Sequence, residues 1–176
     1  MSAVRLATMW LDSCSGCHMS LLDMDERLIE LAGQIEMVYG PLVDAKEFPE
    51  NVDVVVVTGG VGNEHQAELL RTARERSRIL VSMGDCAITG NVPAMRNLFD
   101  MDEIMEAVYA DAKPGRPPVP PEDVPPLQPL VEPLHRFVKV DEYIPGCPPV
   151  ADLIHFIVSE LIQGRVPGLG VRAKFC

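Results

Sequence analysis

The run VDVVVVT at positions 52–58 constrains the fold more than any other stretch of the chain. It is β-branched almost throughout and stops at Gly59-Gly60, so it reads as a strand ending in a loop. Glu64 to Arg76, rich in Glu, Leu and Arg, then reads as a helix, and Ile79 to Met83 as another strand ended by Gly84. Upstream, Val4 to Trp10 is a short, largely apolar run that suits a buried parallel strand. From Ser20 to Gly33, the residues Leu21, Met24, Leu28, Leu31 and Ala32 recur at helical spacing, with Gly33 as a C-cap, and Gln34 to Val38 reads as the next strand. Strand and helix alternating in this way imply right-handed βαβ units, and so an α/β fold with a doubly wound, mostly parallel sheet.

A proline-rich stretch interrupts the alternation. Nine of the 16 prolines lie between Asp111 and Pro133, too many for a helix or a central strand, so residues 111–134 read as an extended connector. Such a segment serves either as a linker or as a polyproline arm laid on a partner. Beyond it, Phe137 to Val140 reads as a last short strand and Pro149 to Gln163 as a C-terminal helix. Pro149 fits the first helical position, the stripe Val150, Leu153, Ile154, Ile157, Val158, Leu161 and Ile162 forms one apolar face, and Gly164 stops the helix. Residues 1–164 are therefore expected to form one domain, with 165–176 as a tail.

Composition removes several classes of function. With 176 residues the chain holds one sizeable core, and a net charge of -11 repels both phosphate backbones and anionic lipid, so neither nucleic acid nor a membrane surface is an expected partner. The longest apolar run falls far short of the ~20 residues of a membrane span. MSAVRLATMWLDSC lacks the ordered regions of a signal peptide, which makes the cytoplasm the expected compartment. The five cysteines are an odd number in a chain too long to need disulfide staples, so they are expected to be reduced or metal-bound.

Cys14 and Cys17 form a C-x-x-C in SCSGCHMS, a pattern shared by redox dithiols, zinc half-sites and iron-sulfur half-sites. Cys86 in GDCAITG and Cys147 in PGCPP are glycine-flanked singles. The first pair, Cys86 and Cys147 each follow the C-terminal end of an expected strand, and in a parallel sheet those ends share the edge where doubly wound folds bind ligands. Four sulfurs could meet there. One close pair with two distant singles favours an iron-sulfur cluster over a structural zinc, which usually takes two close pairs; unconnected core cysteines are the third reading. Cys176, at the end of the sequence and without a glycine-rich setting, is read as a non-ligand.

Taken together, WLDSCSGCHMSLLD, TGGVGNEH, GDCAITG and PGCPP before a helix resemble the small subunit of nickel-iron hydrogenases, in order and spacing, over residues 4 to about 164. The short, acidic chain is most similar to the cytoplasmic NAD-reducing, bidirectional type. That resemblance implies a flavodoxin-like fold in which Cys14, Cys17, Cys86 and Cys147 bind the proximal 4Fe-4S cluster. It also implies two partners, a large subunit with a nickel-iron centre and a diaphorase module carrying FMN, iron-sulfur clusters and an NAD site. Hydrogen activation would then lie outside this chain. The longer periplasmic relatives have a twin-arginine leader and a domain with two further clusters, and neither is expected here. A glutamate often found near the first C-x-x-C in those relatives is replaced by His18, Met19 and Ser20, so its proton-path role is not carried over.

A flavodoxin-like fold also raises FMN as a cofactor of this subunit. Against it, the first loop, where flavodoxins hold phosphate, carries Cys14 and Cys17. The nearest rival reading is the homologous subunit of respiratory NADH:quinone oxidoreductase, whose signature has adjacent cysteines in place of C-S-G-C. A rival of another class is an interaction module with a structural zinc. His18, His65, His135 and His155 form no spaced ligand set; His18 stands out beside Cys17. Glu64 and Asp85 fall on the same edge, where either could relay protons or touch a partner.

Overall fold

The computed structural model describes residues 3–110, 124–165 and 167. In chain order the elements begin with β1 (Val4–Trp10), α1 (Gly16–Leu22), α2 (Glu26–Ala32), β2 (Ile35–Tyr39) and β3 (Val52–Thr58). They continue with β4 (Val61–Asn63), α3 (Glu64–Arg76), β5 (Ser77–Met83), α4 (Asp85–Thr89) and α5 (Met101–Met105), and end with β6 (Leu127–Glu132), β7 (Glu142–Ile144) and α6 (Ala151–Ile162).

Five strands form one sheet in the order β2-β1-β3-β5-β7, and every neighbouring pair is parallel. Counting only those five strands, the spatial order is second, first, third, fourth, fifth, which is the flavodoxin-like doubly wound arrangement. The valine run explains why β3 is central. Val54 and Val56 face a core shared with Ile154 and Ile157 of α6, while Val55 and Val57 face the opposite core, where Leu70 and Ala73 of α3 pack. A strand covered on both faces must be apolar at successive positions, not at alternate ones.

Three expected elements differ. The helix read from Ser20 to Gly33 begins earlier, at Gly16, and is split in two, because Asp25 takes a positive φ of 51° that no continuous helix tolerates. The strand read at Phe137 to Val140 is instead Glu142–Ile144. Asp141 decides this: its N–H donates to Leu80 O and its carboxylate accepts from Leu80 N, so pairing with β5 starts only there. Helix α6 starts at Ala151, not at Pro149, with Val150 as its N-cap.

The connector is also more structured than its prolines imply. Residues 111–123 lie outside the described residues, but Leu127–Glu132 forms β6, paired antiparallel with β4 in a two-stranded ribbon. Pro129 is compatible with such a ribbon because each strand there has only one partner strand. On the other edge of β6, Asn97 substitutes for a strand: its side-chain amide donates to Val131 O and accepts from Val131 N, each at 2.8 Å.

Candidate metal centre

Three loops at the C-terminal ends of strands carry the cysteines. Cys14 precedes α1 after β1, and Cys17 is the second residue of α1; Cys86 is the second residue of α4 after β5; Cys147 follows β7. Cys17 and Cys86 are buried, and Cys14 and Cys147 are exposed. Cys176 lies outside the described residues.

Backbone hydrogen bonds extend the β5–β7 pairing into the loops. The N–H of Gly84 donates to Ile144 O at 2.7 Å, and the N–H of Asp85 donates to Gly146 O at 3.0 Å. The N–H of Gly146 in turn donates to Asp85 Oδ1 at 2.7 Å. Cys86 and Cys147 are thus held on adjoining loops.

Electrostatics place all four thiols in one neighbourhood. Burial, first of all, and then the charges of Cys86, Cys14, Cys147 and Asp85 push the Cys17 thiol up to about 12. Burial likewise raises Cys86, against a backbone hydrogen bond from Val92 that lowers it, with Cys147, Cys14 and Asp85 adding to the rise. A buried thiol raised in this way is a poor nucleophile at neutral pH. The same donors suit a cationic metal body, which compensates thiolate repulsion and displaces the protons. Among the described residues, no three His, Cys, Asp or Glu side chains close around a point as tightly as the site of a single ion.

Residues that sequence reading missed complete the surroundings. Asn91 donates from Nδ2 to Cys147 Sγ at 3.4 Å, and the Val92 amide serves Cys86. Only the polar residue after Gly90 hinted at the first; a backbone donor such as Val92 has no side-chain signature.

His18 Nδ1 lies 3.2 Å from Thr58 Oγ1, and its buried Nε2 has no partner. Burial holds the imidazole below the ordinary histidine range. His18 also lines a mostly apolar cleft of about 480 Å³ with Thr8, Trp10, Met19, Leu22 and Leu42. Of the two carboxylates singled out, Asp85 is buried between the cysteine loops, whereas Glu64 is exposed at the start of α3, its N–H on Pro126 O.

Comparison with known proteins supplies a second line. Residues 14–161 match the family described as NADH ubiquinone oxidoreductase, 20 Kd subunit. The chain is 41% identical to one of the subunits of an F420-non-reducing hydrogenase from Methanocaldococcus jannaschii, over 95% of this chain and 59% of that protein. It is also 41% identical to the NAD-reducing hydrogenase HoxS subunit delta of Cupriavidus necator, over 92% of this chain and 80% of that one. The chain thus spans little more than half the length of the methanogen relative. Its structure superposes on a chain of an NAD+-reducing NiFe hydrogenase in the H2-reduced state with a TM-score of 0.93, at 38% identity and 98% coverage of both chains. A NiFeSe hydrogenase of Desulfovibrio vulgaris Hildenborough, 16% identical with a TM-score of 0.59, shares the fold.

Proposed function

Since the chain belongs to the family of the NADH ubiquinone oxidoreductase 20 kDa subunit, and within it to the small subunits of nickel-iron hydrogenases, we propose that it is the electron relay of an NAD-reducing hydrogenase. In this reading Cys14, Cys17, Cys86 and Cys147 hold one 4Fe-4S cluster. The large subunit carries the nickel-iron centre on one side of it, and the diaphorase subunits, with their FMN, iron-sulfur clusters and NAD, lie on the other. The observation that carries the reading is the convergence of Cys14, Cys86 and Cys147, from three separate loops at one sheet edge, on the buried thiol of Cys17.

When bound, the cluster supplies one-electron exchange without a proton-transfer step of its own. The chain's residues do the remaining work. Four thiolates ligate, the sheet edge and the α6 core fix the loops, and Asn91 and the Val92 amide donate toward sulfur, which tunes the potential. FMN is not assigned to this subunit, because the loop after β1 carries the cysteine pair.

Among the described residues no helix is long and apolar enough to cross a membrane, and we place the assembly in the cytoplasm beside its nicotinamide substrate. Identity of 41% to HoxS subunit delta favours the hydrogenase over the quinone-reducing homologue for which the family is named.

Purification of the native complex tests the proposal. Co-isolation with a nickel-containing subunit, brown colour bleached by dithionite, and hydrogen-dependent NAD reduction are expected. Quinone reductase activity without nickel overturns the reading in favour of the respiratory homologue, and a colourless zinc protein overturns the cluster itself.

A further inference from the structure

Asp85 poses a physical problem. A carboxylate that is only 8% exposed sits immediately before Cys86, and its charge bears on Cys86 and Cys17, where it opposes the gathering of thiolates. Such a placement costs stability unless the group does something an apolar side chain cannot.

The hydrogen bonds show what that is. Gly146 lies beyond the end of β7 with φ +134°, and its N–H needs an acceptor outside the strand ladder. Asp85 Oδ1 accepts it at 2.7 Å, while the Asp85 N–H donates to Gly146 O at 3.0 Å. The two residues clasp each other reciprocally, one beside Cys86 and the other beside Cys147. On the far side Thr89 Oγ1 donates to Asp85 O at 2.8 Å, tying the same residue to the end of α4.

We propose that Asp85 is a positioning residue of the metal centre: its carboxylate holds the Cys147 loop in register with the Cys86 loop and sets a fixed negative charge beside the ligand sulfurs. The inference rests on the cluster reading above. It predicts two separable effects, one geometric and carried by the Oδ1 acceptor, the other electrostatic and carried by the charge. A negative charge beside the cluster disfavours the added electron, so its removal raises the reduction potential.

Two substitutions in the intact complex separate them. Asp85→Asn retains an oxygen acceptor and loses the charge, whereas Asp85→Ala loses both. Release of iron to bathophenanthroline is expected to be about tenfold faster in Asp85→Ala and close to the wild-type rate in Asp85→Asn. Redox titration, followed on the EPR signal that Cys86→Ser abolishes, is expected to show the Asp85→Asn cluster about tenfold more reduced at a fixed potential, a shift of ~59 mV for a one-electron couple. An unmoved potential in Asp85→Asn overturns the proposal. So does iron release from Asp85→Asn as fast as from Asp85→Ala, or wild-type release from Asp85→Ala. If Asp85→Ala yields no complex, the potential and release rate of Asp85→Asn decide alone. A wild-type complex without iron in this subunit refutes the cluster reading instead.

Discussion

The sulfur of Cys17 is packed against the α-carbon of Gly84 so closely that a methyl group on Gly84 would overlap it. Gly84 also holds φ +86° with ψ 154°, a region essentially reserved for glycine that costs an L-residue on the order of 1–3 kcal/mol. The sequence GDC therefore encodes both the approach of two loops and the strand end that makes it possible. Gly84→Ala is expected to displace Cys17 from its partners and to lower the iron bound per chain by at least half. Iron and acid-labile sulfide analysis of the purified complex checks this, and full iron content would show that the loops yield more easily than the packing indicates.

Asn91 approaches Cys147 differently, through a donor. Its Nδ2 lies 3.4 Å from the sulfur while the residue holds φ +35°. A donor to a ligand sulfur stabilises the electron-rich reduced state, so its loss should lower the potential. Asn91→Gly removes the amide and keeps the backbone shape, which makes it a cleaner test than alanine. The expected drop is some tens of millivolts, corresponding to about 1 kcal/mol, read by EPR-monitored titration.

These two contacts mark the limit of what could be read from residues alone. The convergence of the cysteines was legible because each loop follows a strand, and parallel strands bring their ends to one edge. The valine run and the α6 stripe were legible because burial on two faces and on one face leave different periodicities; Leu153, Ile154, Ile157, Val158 and Leu161 are all buried. Val150, read as part of that stripe, is 66% exposed, since the helix starts one residue beyond it. The position of β7 was not legible, because a three-residue strand is set by the Asp141–Leu80 pairing and not by its own composition. Nor was β6, whose Pro129 and flanking prolines argue against a strand until a ribbon partner is present. Asp85 was legible as a residue of the cysteine-bearing edge but not as a clasp on Gly146, and no local pattern announces the contact of Asn91 with Cys147.

Asp141 makes the strand that leads to Cys147 sensitive to pH. Burial by itself would raise its carboxyl, but the Arg74 side chain, the Leu80 amide and the charges of Arg74 and Lys139 outweigh burial and lower it. A carboxyl lowered on folding contributes stability above its unfolded value of about 3.9, and that contribution is lost as pH falls through the folded value. Asp141→Asn is therefore expected to be destabilised by about 1–2 kcal/mol near pH 7, a gap that begins to close only below about pH 4 and narrows further as pH falls through the lowered folded value. Thermal unfolding midpoints of the two proteins from pH 7 to pH 3 check the sign. A gap that widens toward acid would contradict it.

Helix α6 makes the last link, from core to centre. Ile154 is fully buried among Val54, Val56 and Met83 of the sheet, and Pro149, just before the helix, accepts a hydrogen bond at its carbonyl from Ser20 Oγ of α1. One helix thus braces the Cys147 loop against the helix that carries Cys17. Ile154→Ala should leave a cavity that a close-packed sheet face cannot collapse to fill, at a cost of about 2–5 kcal/mol. Because the loop rests on that helix, the loss should appear both as a lower urea midpoint and as faster iron release at urea concentrations well below it. Ser20→Ala removes one tie and leaves the core intact, so it should speed iron release with a much smaller shift in midpoint. Equal effects of the two substitutions on the midpoint would mean that the brace acts through overall stability alone.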